Sequence, residues 1–197
     1  MPAYHIYGEN RPGRWLVTCD HASNRVPADV CGGDLGVSAQ DMARHIAWDV
    51  GARGLAEALG ATLNSPVICS DFSRLVIDAN RGEDDPTLVM KLYDGTIIPA
   101  NRHAGEEDLR QRLDRLYHPY HAALAGLAAR RDDTVIMAIH SFTPCLKGRA
   151  PRPWPRPRRP SGRWPRRPRA CRWRRRWPRR SARLTVAALC QVAAPAR

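Results

Sequence analysis

No run of eighteen apolar residues occurs in this 197-residue chain, so no segment is long and apolar enough for a membrane-spanning helix. The opening residues, MPAYHIYGENRPGRW, contain no apolar stretch of signal-peptide length. The sequence therefore predicts no export and a cytoplasmic setting. Aromatic side chains are few, at 7%, and the six cysteines include no C-x-x-C pair. A zinc ribbon is disfavoured, and free thiols in a reducing compartment are expected. No internal repeat is visible.

Acidic residues and lysine are missing altogether from residues 150–197. That segment holds 16 arginines, nine of the 17 prolines and four of the six tryptophans, so its formal charge is +16. Residues 1–149 hold all 19 acidic residues against 16 basic ones, a net −3. The overall charge of +13 thus describes neither part. Self-repelling arginines and closely spaced prolines oppose a packed core, which predicts an α/β domain over 1–149 and a disordered Arg/Pro/Trp-rich tail over 150–197. Two readings of the tail stand. One is a GC-rich gene translated out of frame after about residue 149. The other is a non-enzymatic nucleic-acid-binding function, with arginine on phosphates and tryptophan on bases.

Apolar patterning predicts alternating strands and helices in the front part. RWLVTC (14–19) reads as a buried strand running into the polar DHASNRVP. From Ser38, the residues Met42, Ile46, Val50, Leu55 and Leu59 recur at near-helical spacing, with Ser38 as N-cap and Gly60 as a stop. ATLNSPVICS and RLVID (74–78) read as further strands. Residues 87–104 read as a surface excursion, and 106–130 as helix interrupted near Pro119. TVIMAIH (134–140) is the clearest buried strand. This order predicts an α/β fold with a mostly parallel sheet.

In such a sheet ligands bind at the carboxyl ends of the strands. His21 follows the first strand and His140 ends the last, so the two converge if both strands are central. Two imidazoles beside carboxylates suit Zn²⁺, and Asp20, Asp41 and Asp49 are the carboxylates nearby in sequence. Histidines capping strand ends through hydrogen bonds would look the same. In R-L-V-I-D-A-N-R, Arg74, Asp78 and Arg81 offer two guanidinium forks and a carboxylate, which fits either an anion clamp or an ion-pair network. Y-H-P-Y-H (117–121) offers His118 and His121 for proton transfer or for holding a substrate oxygen. A helix junction with partly buried aromatics is the plainer reading.

Taken in order, LVTCDHASNRVP, SRLVIDANR, YHPYH and the strand ending in HSF resemble the N-formylglutamate amidohydrolase family over about residues 14–149. The resemblance implies a three-layer α/β fold of the zinc-dependent exopeptidase type, incomplete at the C-terminus. It also implies hydrolysis of an N-acyl amide on a small anionic amino acid. The family reaction is N-formyl-L-glutamate plus water giving formate and L-glutamate, in histidine catabolism. Carried onto this chain, it makes His21 and His140 ligands of Zn or another divalent metal. Asn24 stands where related zinc exopeptidases carry a Glu ligand, so Asp41 is taken as the first substitute. Arg74, Asn80 and Arg81 would bind the substrate carboxylate, and His121 falls in the family's aromatic-histidine segment. The family's later strands and its acidic general base are not recognisable after LKGRA, which predicts impaired turnover.

Overall fold

The computed structural model describes residues 2–143 and Leu146. The boundary expected at 149/150, the altered reading frame and the basic tail lie outside the described residues. Four strands form one sheet: β1 (Tyr4–Tyr7), β2 (Trp15–Cys19), β3 (Val67–Ser70) and β6 (Val135–Ala138), in the order β1-β3-β2-β6. β3, β2 and β6 are parallel, and β1 pairs antiparallel with β3. A separate small hairpin joins β4 (Leu92–Tyr93) to β5 (Thr96–Ile97). The described residues also form five α-helices, α1 (Ala39–Met42), α2 (Ala52–Thr62), α3 (Pro99–Arg102), α4 (Glu106–Arg112) and α5 (His118–Ala128), together with a short 3-10 turn at Cys31–Gly33 and a π-helical turn at Leu113–Tyr117. None among the described residues is long and apolar enough to cross a membrane.

The central strands are apolar almost throughout because both sheet faces are covered. Successive side chains point to opposite faces. Val17, Cys19, Val67 and Cys69 join Ala52 and Ala56 of α2 in one core cluster. Leu16 and Ile68 join Tyr120, Leu124 and Leu127 of α5 in the other. The sheet is therefore sandwiched between α2 on one side and α5 on the other. Gly60 does not stop α2, which runs on to Thr62. A Cβ at Gly60 would lie 2.0 Å from Val67 Cγ2, so the glycine is what lets α2 lie close against β3. Gly60→Ala should lower stability by roughly 1–3 kcal/mol through overpacking; a urea midpoint equal to that of the unaltered chain would contradict this.

Two expected elements differ, and the interruption expected near Pro119 is present. The helix predicted from Ser38 to Gly60 is two helices. Ser38 caps α1 through its Oγ, which accepts from the Asp41 N–H at 3.1 Å. The chain then leaves helical geometry and re-enters it only after Gly51, at φ +79°. The strand predicted at 74–78 is a buried series of turns. Leu75, Val76 and Ile77 are fully buried, while the N–H groups of Ser73, Arg74 and Asp78 bond to Arg25, Ala47 and Leu88 carbonyls instead of to a strand. A short apolar run reports burial and does not by itself report extended backbone. Near Pro119 the predicted interruption is a π-helical turn over Leu113–Tyr117, with the His118 N–H reaching Leu113 O. Proline has no N–H to donate and crowds the carbonyl one turn back, and the wider turn accommodates both.

Candidate metal centre

β2 and β6 are adjacent and parallel, so their carboxyl ends place His21 and His140 side by side, ring centroids 5.3 Å apart. The break before α2 brings in the third group. The Asp49 N–H donates to His21 O at 2.9 Å and the Ala52 N–H donates to Asp49 O at 3.1 Å, which lays this segment across the end of β2. Asp49 Oδ2 then lies 3.0 Å from His140 Nδ1 and 3.4 Å from His21 Nδ1, and accepts from the Ser141 N–H at 3.3 Å. One ligand atom from each of His21, Asp49 and His140 falls within 4.8 Å of the others.

Charged groups surround this trio. Asp78, fully buried, meets His21 Nε2 at 2.7 Å through Oδ1, and the same oxygen accepts from the Asn80 N–H at 2.9 Å. Arg74 donates to both acids, Nη1 to Asp49 Oδ1 and Nη2 to Asp78 Oδ2, each at 3.3 Å. Its guanidinium lies 5.5 Å from the ring centre of Tyr93 in the hairpin. Burial disfavours charge on Asp49, but His140, His21 and Arg74 outweigh it and hold the carboxyl well below the usual carboxylate range. The same balance, struck with His21 and Arg74, depresses Asp78. Burial and then Arg74 pull His21 down, yet Asp78 and Asp49 prevail and its pKa is raised. Such concentrated perturbation in one place is typical of functional sites.

The structure gathers some predicted residues and not others. His21 and His140 meet as expected. Asp41 is not in the trio. It belongs to the start of α1, where it accepts from Ser38 Oγ and from Arg44 Nη1 (3.1 and 2.5 Å). The carboxylate beside the two histidines is Asp49. Asn24 Nδ2 donates to Met42 O at 2.9 Å and also stands outside the trio. Arg74 and Arg81 both face Asp78, Arg81 more loosely at 3.6 Å, and Asn80 is exposed. His121 packs its ring against Tyr117 (centroids 4.2 Å apart) and Tyr120 (5.4 Å). His118 lies on the surface between Glu83 and Asp114. Sequence reasoning gave Tyr120 no role, although its hydroxyl donates to Asp20 Oδ1 at 2.5 Å. The sequence signal that could have singled out Asp49 is the glycine two residues after it, where a continuous helix would be broken.

A family model described as N-formylglutamate amidohydrolase matches residues 13–177. The chain belongs to the N-formylglutamate amidohydrolase family. Two solved structures are similar to this chain. The gene product Atu2144 from Agrobacterium tumefaciens is 33% identical at a TM-score of 0.72, over 76% of this chain and 60% of its own. The N-formylglutamate amidohydrolase from Ralstonia eutropha JMP134 is 21% identical at a TM-score of 0.55, over 78% of this chain and 64% of its own; that likeness is one of fold. The chain thus spans 60% and 64% of the length of these two relatives. No match was found among curated proteins. The mostly parallel α/β sheet carries the histidine pair at the strand ends.

Proposed function

We propose that this family member is a metal-dependent amidohydrolase that cleaves an N-acyl, chiefly formyl, amide from an acidic amino acid. The supporting observation is the convergence of His21, Asp49 and His140. Two imidazoles and a carboxylate are a donor set that suits zinc, and a carboxylate on the far nitrogen of a liganding histidine, as Asp78 is on His21, is the usual outer partner. These three residues would hold the metal. Bound there, Zn²⁺ would act as a Lewis acid on the acyl carbonyl and make water a competent nucleophile near neutral pH. The two-histidine strand edge also supports classing the fold with the zinc-dependent exopeptidases.

The chain's own residues supply position and charge. Arg74 is committed to Asp49 and Asp78, so it fixes those carboxylates and does not reach outward. Arg81, with its side chain 41% exposed, together with exposed Asn80, is the better partner for the substrate carboxylate. A guanidinium there orients the substrate without touching the reacting carbon. His121, on the same helix as Tyr120, is the candidate for moving a proton.

The test is formate release from N-formyl-L-glutamate by the zinc-loaded 197-residue chain. Release should cease on chelation and in His140→Ala, and N-formyl-L-alanine should react more slowly for want of the second carboxylate. Release indifferent to chelator would end the metal reading.

A further inference from the structure

Tyr120 is fully buried, and its hydroxyl is bonded to a carboxylate 100 positions away in sequence. Sheet register explains why they meet. Thr18 pairs with Ala138 across β2 and β6, and the ladder continues as the Ile139 N–H donates to Thr18 O at 2.8 Å. Asp20 and His140 each lie two residues further on, so they project from the same face as Leu16 and Ile136. That face is the one covered by α5, which carries Tyr120. The Asp20 backbone is pinned as well, its carbonyl accepting from Ser70 Oγ at 2.7 Å.

His140 therefore stands between two acids. Asp49 Oδ2 is on its Nδ1 side at 3.0 Å, and Asp20 Oδ2 is on its Nε2 side at 3.8 Å. A neutral imidazole has one N–H and one lone pair. If the N–H points to Asp20, the lone pair points to the trio. Tyr120 occupies the other Asp20 oxygen with a donor, which keeps Asp20 aimed along the sheet edge.

We infer that Tyr120 and Asp20 are positioning residues for His140: Tyr120 holds Asp20, Asp20 takes the His140 Nε2–H, and Nδ1 is thereby committed to the metal. This rests on the metal-centre reading above. It gives the Y-H-P-Y-H segment a part in the site that does not require contact with substrate.

The experiment uses the 197-residue chain with ¹⁵N-labelled histidine, Zn²⁺ as the probe, and His140→Gln to assign the His140 signals. In the zinc-loaded chain, ¹⁵N shifts should show His140 coordinated through Nδ1 with its proton on Nε2. Tyr120→Phe and Asp20→Asn should each weaken zinc binding about 10- to 100-fold and disturb the His140 signals. Coordination through Nε2 would overturn the inference while leaving the metal centre standing. So would unchanged zinc affinity and unchanged His140 signals in both variants, whatever happens to their unfolding midpoints. Should Tyr120→Phe fail to fold, the spectrum of the unaltered chain and Asp20→Asn decide the matter. Failure of the unaltered chain to bind zinc would overturn the metal-centre reading and this inference together.

Discussion

Asp49→Ala should lower zinc affinity by about 1,000-fold, roughly 4 kcal/mol, while Asp41→Ala should leave it within about twofold. Both acids lie near the first long helical pattern, and the sequence placed Asp41 ahead as third ligand. The structure separates them by what each touches. Asp41 neutralises Arg44 beside Ser38 at the start of α1. Asp49 is nearly fully buried, its Oδ1 fixed by Arg74 and its Oδ2 turned to both histidines. Removing Asp49 takes away the only carboxylate in the trio and leaves two neutral donors. Competition against a chromophoric chelator measures both variants directly. The reverse ranking, with Asp41→Ala the weaker binder, would restore the sequence-based choice.

Asp78→Ala should destabilise the metal-free chain by about 3–5 kcal/mol, as expected when one partner of a buried ion pair is removed. Asp78 is fully buried and is met by His21, Arg74 and the Asn80 N–H. Without it, Arg74 keeps only Asp49, and His21 Nε2 faces a cavity. A pH dependence accompanies this. Asp49 and Asp78 titrate below the ordinary carboxylate value in the folded chain. Their contribution is therefore complete above the unfolded value of about 3.9 and is lost as pH falls towards the depressed folded ones. His21 is shifted upward, so its contribution is complete below about 6.5 and is lost as pH rises through its folded value. Urea unfolding across pH should show the acid limb flattened in Asp78→Ala. A loss of stability under about 1 kcal/mol, with the acid limb unchanged, would mean that the buried acid is not the keystone of this cluster.

The sequence by itself determined the strands with continuous apolar runs and the histidines that follow them. WLVTC is buried on both faces and VIMA is buried at Val135 and half-buried beyond it, and such burial writes itself into composition without any knowledge of partners. His21 and His140 were legible for the same reason, since each follows a core strand and parallel strands end on one edge. The four separated motifs also pointed to the family that the comparison found.

Only the tertiary structure decided which carboxylate joins them and what the arginines hold. Periodicity from Ser38 to Gly60 reads as one helix because it records which side chains are apolar, not whether the backbone stays helical between them. Gly51 and the bond from the Asp49 N–H to His21 O settle that, and the second of these spans 28 residues. RLVID is equally buried as strand or as turns, and the difference lies in which distant carbonyls accept its N–H groups. Arg74 looked like a substrate clamp because a guanidinium suits any carboxylate, and folding put two of the chain's own acids within its reach. Tyr120 was silent in sequence because its partner, Asp20, becomes its neighbour only once α5 is laid against the sheet. Local pattern encodes burial and element ends, whereas pairings across many tens of residues exist only after the layers pack.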